Sequence, residues 1–175
     1  MDIAALIRTI PDHPSPGILF RDITTLLKDA GGFAWTIEAL VERYRGQSLT
    51  KIAGVESRGF MFGAPLAVAL GAGFVPIRKT GKLPASTIGL DYALEYGTDR
   101  LEMHTDALQP SERILLVDDL LATGGTARAA AQLLSQAGGE VIEAAFVIEL
   151  PDLGGRTRLA EAGVTTFSLV SFGGH

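Results

Sequence analysis

ILLVDDLLATGGT, residues Ile114 to Thr126, opens with four apolar side chains, Ile114, Leu115, Leu116 and Val117, with nothing polar between them. A run of that kind suits a strand buried on both faces, the usual state inside a parallel sheet. Two carboxylates, Asp118 and Asp119, follow at its carboxyl end. Then come Ala122, Thr123, Gly124, Gly125 and Thr126, and from about Ala127 an alanine-rich segment with helical spacing. The order is strand, acidic pair, glycine turn, helix start. A helix start offers unpaired N–H groups and the positive end of the macrodipole. Gly124 and Gly125 let an anion approach the main chain closely, and Thr123 and Thr126 add hydroxyl donors. Together they form a cradle for one phosphate monoester. No Gly-Lys-Ser/Thr follows the glycines and no GxGxxG is present, so the stretch is neither a Walker loop nor a dinucleotide fingerprint. The aspartates precede the cradle and would repel an anion, which suits them to neutral ribose hydroxyls. A sugar 5-phosphate fits the stretch from end to end.

A length of 175 residues is that of one domain with one sizeable core. The hydrophobic fraction of 47% and charged fraction of 20% are those of a compact water-soluble chain. A net charge of −5 gives no general attraction to nucleic acid or anionic membrane, so any phosphate site must be local. Cysteine is absent, which excludes disulfides, thiolate catalysis and zinc–thiolate sites and permits a reducing cytoplasm. MDIAALIRTI at the start lacks the basic region and cleavage site of a signal peptide. No apolar run is long enough to cross a bilayer.

Along the chain, Asp2 to Ile10 reads as a short amphipathic helix capped by Asp2, with Ile3, Leu6, Ile7 and Ile10 on one face. The prolines between Pro11 and Thr24 favour an extended path that anchors Phe20. Phe33 to Tyr44 is a helix ending before Gly46, with Trp35 off its apolar stripe. Lys51 to Val55 is a strand, followed by the polar turn Glu56-Ser57-Arg58-Gly59 and a helix over Phe60 to Leu70. This second strand–loop–helix unit puts its turn on the sheet edge where ligands bind. Gly73 to Ile77 is the next strand, and the cations Arg78, Lys79 and Lys82 leave the same edge, where they suit a polyanion such as pyrophosphate. Leu83 to Arg100 has poor periodicity and the length of a lid. Leu101 to His104 is a returning strand. Beyond the central motif come a strand over Glu140 to Leu150, a short helix over Gly155 to Ala162 and a last strand over Val164 to Val170. Strands alternating with helices predict an α/β fold with a mainly parallel sheet flanked by helices. His13, His104 and His175 are too scattered for a metal triad.

The central stretch resembles the PRPP-binding motif of type I purine/pyrimidine phosphoribosyltransferases, a motif that also occurs in a few PRPP-sensing regulators. Four further stretches resemble the adenine-using branch of that family, in the same order: PSPGILFRDIT (14–24), GVESRGFMFG (54–63), PIRKTGKLP (76–84) and LEYGTDRLEMHTDAL (94–108). RKTGKLP and LEYG separate that branch from the orotate and hypoxanthine members. The resemblance implies the type I phosphoribosyltransferase fold in one domain over 1–175, with a hood roughly over 1–30. It implies a purine-salvage reaction, adenine plus PRPP giving AMP plus pyrophosphate, in a cytoplasmic homodimer with no nucleic-acid or membrane partner. Mg²⁺ would be bound mainly through PRPP, without a protein metal cage.

By matched position, Asp118 and Asp119 would hold the ribose hydroxyls, and Ala122, Thr123, Gly124, Gly125 and Thr126 the 5-phosphate. Glu56, Ser57 and Arg58 would form the pyrophosphate loop, with a cis peptide at Glu56–Ser57. Arg78, Lys79 and Lys82 would add cations, Arg78 reaching towards the neighbouring subunit. Leu19, Phe20, Arg21 and Leu120 would line the adenine pocket. Glu95 would manage a proton on the purine, and Tyr96 would close over PRPP. Two alternatives stand beside this: a regulator that senses PRPP and binds nucleic acid, and a transferase for another base.

Overall fold

The run that begins at Ile114 is an inner strand of a seven-stranded sheet in the computed structural model, which describes residues 1–94 and 97–174. The elements in chain order are β1 (Arg8–Pro11), β2 (Leu19–Asp22), α1 (Thr24–Leu27), α2 (Ala30–Tyr44), β3 (Lys51–Val55), α3 (Arg58–Leu70), β4 (Gly73–Lys79) and β5 (Thr87–Ala93). There follow β6 (Thr98–His104), β7 (Arg113–Leu121), α4 (Gly125–Gln136), β8 (Glu140–Glu149), α5 (Gly155–Glu161) and β9 (Thr166–Ser171). The sheet order is β5-β6-β4-β3-β7-β8-β9. Its β4-β3-β7-β8-β9 part is parallel, and β6 and β5 add antiparallel at one edge. This is the mainly parallel α/β sheet that the sequence pattern predicts.

Alternation along β7 explains why its apolar run is unbroken. Ile114 and Leu116 enter the core beneath α4, with Ala130 and Leu134. Leu115 and Val117 enter the opposite core, with Leu40 of α2 and Phe62 and Leu66 of α3. Successive side chains of one strand therefore serve two layers.

Three local expectations need correction. The carboxylates do not follow the strand but belong to it: β7 continues to Leu121 because β8 keeps pairing with it through Leu120↔Ile148 and Leu121↔Glu149. Pairing with β3 has already stopped at Gly54↔Val117, so Asp118 and Asp119 stand where one neighbour has fallen away. The helix expected over Asp2–Ile10 is a single 3-10 turn, Ala4–Leu6, followed by β1. A helix so short is marginal without tertiary support, and β1 instead pairs antiparallel with β2, from Arg8↔Asp22 to Pro11↔Leu19. Ile3 and Ile7 are buried all the same, and Asp2 still accepts from the Ala4 N–H at 3.1 Å. The segment read as an irregular lid contains a regular hairpin, β5 on β6, in register from Thr87↔His104 to Ala93↔Thr98. Its signal was the alternation Ile88, Leu90, Tyr92, which packs on the core below.

Among the described residues no helix is long and apolar enough to cross a membrane.

Candidate active site

At the carboxyl edge of the parallel strands lies a cavity of about 270 Å³, bordered by Glu56, Arg58, Lys79, Tyr92, Asp118, Asp119 and Leu120 and by the loop Ala122 to Thr126. The loop can turn because Gly124 has φ of 79°, a conformation that costs glycine little. The turn is also packed main chain to main chain. A Cβ on Gly124 would stand 2.9 Å from the Gly155 carbonyl oxygen, and a Cβ on Gly155 would stand 2.3 Å from that of Ala122. The start of α5 therefore buttresses the loop, a support invisible in the local sequence. α4 begins at Gly125 rather than Ala127, so the loop runs directly into N–H groups that have no intrahelical acceptor.

Asp119 is 2% exposed. Its backbone N–H donates to Asp118 Oδ1 at 2.9 Å, and its Oδ2 lies 3.1 Å from Arg58 Nε. That oxygen has no aligned hydrogen-bond donor among the described residues, which leaves a buried acceptor ready for one. Burial pushes the Asp118 carboxyl well above the usual range, and the Asp119 charge beside it adds to the rise. Burial raises Asp119 too, while Arg58 opposes. Two carboxylates this close, one buried and one partly buried, disfavour ionising together. Hydroxyl donors arriving at the pair would stabilise its fully ionised form.

The cations are arranged around carboxylates. Glu56 accepts from Arg78 Nε at 2.8 Å and from the Lys79 N–H at 3.1 Å. The Glu56–Ser57 peptide is cis, in agreement with the expectation. Arg78 also donates to the Lys82 carbonyl at 3.1 Å. The Lys79 ammonium pairs with Asp99, which raises its pKa. Between that pair and the loop stands Tyr92, a residue the motif reading missed. Its hydroxyl is 3.3 Å from Asp99 Oδ2 and 3.5 Å from Thr126 Oγ1, and burial raises its pKa.

Of the anticipated residues, Glu56, Arg58, Lys79, Asp118, Asp119, Leu120 and Ala122 to Thr126 share the cavity. Ser57, Arg78 and Lys82 flank it without bordering it. Leu19, Phe20 and Arg21 sit on β2 behind it. The Phe20 ring lies 5.9 Å from the Arg58 guanidinium, and Arg21 is buried against other partners. Glu95 and Tyr96 lie outside the described residues. Among the described residues no group of three or more His, Asp or Glu side chains is placed to hold a metal ion.

Residues 23–168 match the family described as phosphoribosyl transferase domain. The chain is 62% identical over 172 residues to an adenine phosphoribosyltransferase of Methylobacillus flagellatus, covering 98% of each. Its fold matches the crystal structure of an adenine phosphoribosyltransferase from Thermoanaerobacter pseudethanolicus with a TM-score of 0.93 and 51% identity, over 98% of both chains. It also matches a Saccharomyces cerevisiae adenine phosphoribosyltransferase complexed with an imino-altritol 1,6-bisphosphate and adenine, with a TM-score of 0.90 and 39% identity over 97% of both chains.

Proposed function

The chain belongs to the phosphoribosyl transferase family, and from that membership we propose that it transfers the 5-phosphoribosyl group of PRPP to adenine, giving AMP and pyrophosphate. One observation carries the site assignment: a carboxylate pair and a glycine turn at a helix start border the same cavity. A sugar 5-phosphate meets both at once.

In this reading the N–H groups from Ala122 to Thr126, with the threonine hydroxyls, hold the 5-phosphate. Asp118 and Asp119 accept from the ribose hydroxyls, and the open oxygen of Asp119 supports that role. The ribose is then fixed with C1 towards Glu56, Arg58 and Lys79. The C1–oxygen bond to pyrophosphate breaks, the bond from C1 to adenine N9 forms, and the N9 proton leaves. Arg58, Arg78, Lys79 and Lys82 neutralise charge on the departing pyrophosphate. Arg58 and Arg78 rest on Asp119 and Glu56, which store them close by. Leu120 packs on the base, with Leu19, Phe20 and Arg21 of the hood behind it. Glu95 handles the purine proton, and Tyr96 closes the site against water that would hydrolyse PRPP.

Mg²⁺ fits this site as a companion of PRPP. Asp118 and Asp119 offer hard oxygens suited to a hydrated ion and would hold it through the ribose hydroxyls. Bound there, it supplies further neutralisation of the pyrophosphate charge. The same reading makes residues 1–175 one phosphoribosyltransferase domain with a hood roughly over 1–30, in a cytoplasmic homodimer. Met61 and Val68, apolar yet 40% and 84% exposed on α3, support a second copy on that face.

The test is a panel of adenine, hypoxanthine, guanine and orotate, each with PRPP and Mg²⁺. Turnover of adenine above all others is the expected result. Equal use of another base, or no nucleotide formed, overturns the proposal.

A further inference from the structure

The segment that follows β9 crosses from the sheet to the hood. The Phe172 N–H donates to the Glu149 carbonyl at 3.0 Å, and the Gly174 N–H to Asp152 Oδ2 at 2.9 Å. Between those two anchor points the segment grips β2. The Phe172 ring lies 4.5 Å from the Arg21 guanidinium, within cation–π range. The Gly173 carbonyl accepts from Arg21 Nη2 at 3.1 Å. A Cβ on Gly174 would stand 3.5 Å from Leu19 Cδ1, so main chain rests on that side chain too. A second Arg21 nitrogen, Nη1, donates to Thr9 Oγ1 of β1 at 2.5 Å. One guanidinium, 8% exposed, thus joins β1, β2 and the segment beyond β9.

Arg21 itself does not border the cavity, but its neighbour leads there. Adjacent side chains of a strand point to opposite faces. Phe20 stands 5.9 Å from Arg58, and Arg58 is paired with Asp119. His13 also abuts the Phe20 ring, edge to face at 5.1 Å. A shift of β2 would therefore move an aromatic wall of the base side of the site. The loop that holds the phosphate, braced by Gly155, would stay in place.

We propose that Phe172 to Gly174 form a strap that positions the base side of the site, holding Arg21 so that Phe20 stays against Arg58. Phe172 is a positioning residue that acts on adenine recognition and leaves PRPP recognition untouched. This rests on the hood being the adenine side. Wild-type turnover of adenine, measured alongside, separates failure of that reading from failure of the strap.

Three variants test it: Phe172→Leu, Phe172→Tyr and Asp152→Ala. Phe172→Leu keeps bulk but loses the ring, and it should raise KM for adenine about threefold to fivefold. KM for PRPP should hold within about twofold. Phe172→Tyr keeps the ring and should restore the wild-type value. Asp152 is exposed and does not border the cavity, so its loss spares the core and should move KM for adenine the same way by about twofold. Independently of activity, amide exchange should speed up at Leu19–Asp22 in Phe172→Leu and stay slow in β7. The strap is overturned if the adenine KM is unchanged in both Phe172→Leu and Asp152→Ala. It is equally overturned if both KM values rise together, if leucine serves as well as tyrosine, or if exchange in β2 does not change. Should Phe172→Leu fail to fold, Asp152→Ala decides on the same criteria.

Discussion

The β7–α4 edge borders the cavity and the β1–β2 pair reaches it only through Phe20 and Arg58, and the two are built by different means. At the edge, the residues proposed to hold the sugar phosphate are consecutive. Strand, carboxylates, glycine turn and helix start follow one another in the chain, with Gly155 bracing the turn from outside. In the β1–β2 pair, the contacts that tie the strands to each other and to the rest of the chain are remote in sequence. Arg8 pairs with Asp22, Arg21 with Thr9 and Gly173, and Phe20 with Arg58. The lesson is physical: a cradle of main-chain N–H groups needs a contiguous segment, whereas a wall of side chains can be assembled from several.

The carboxylates of the two regions also respond to pH in opposite directions. Asp22 accepts from Arg8, its largest influence, and from Thr24, and its pKa is lowered to about 2. Asp118 is raised, by burial first and by Asp119 second.

The sharpest way to break the comparison is Asp119→Ala. It should lower kcat/KM for PRPP about 100-fold through loss of hydrogen bonds to a charged acceptor. The fold should survive, because burial already disfavours that charge. Steady-state kinetics with circular dichroism read both effects, and wild-type kinetics would contradict the ribose assignment.

Next comes Gly124→Ala, which sets a Cβ against the Gly155 carbonyl in a left-handed conformation. It should cost about 1–2 kcal/mol of stability. Titration calorimetry should show AMP affinity down about tenfold. An unaffected affinity would mean that the turn does not bind the phosphate.

Smaller is the pair Asp22→Asn and Asp118→Asn, followed by urea unfolding across pH. Asp22 has a folded pKa below its unfolded value, so its contribution is present above about pH 4 and lost as pH falls towards 2. Allowing for the solvent exposure of Arg8, Asp22→Asn should cost about 1 kcal/mol at neutral pH and nothing near pH 2. Asp118 has a folded pKa above its unfolded value, so its contribution is present below about pH 4 and lost as pH rises through the folded pKa. Asp118→Asn should therefore stabilise the protein at neutral pH. Slopes of the same sign would remove the contrast between the two regions.

The smallest expected effect is that of Tyr92→Phe, which removes a hydroxyl at hydrogen-bonding reach of Thr126. AMP affinity should fall about twofold to threefold, and no change in calorimetry would confine Tyr92 to packing.

The same division explains what could be read from the chain. Ile114 to Thr126 declared strand, acids, glycine turn and helix start, and Lys51 to Arg58 declared the second strand and its loop, because each signal is local. β1 was hidden because its partner begins eight residues after it ends, and the apolar spacing of Ile3, Leu6, Ile7 and Ile10 mimics a helix. The β5 strand carried its period in Ile88, Leu90 and Tyr92, but glycine, proline and charged neighbours masked it. Tyr92, Asp99 and Gly155 escaped notice at the site because they act across elements: one reaches Thr126, one holds Lys79, and one supports the turn at Gly124. No spacing within a single segment encodes such contacts.

The central claim is that a sugar phosphate docks where β7 passes into α4. A crystal structure with AMP bound tests it most directly. The phosphate should lie on the N–H groups of residues 122–126, with the ribose hydroxyls on Asp118 and Asp119. AMP bound with its phosphate anywhere else, or with its ribose turned away from those carboxylates, would contradict it.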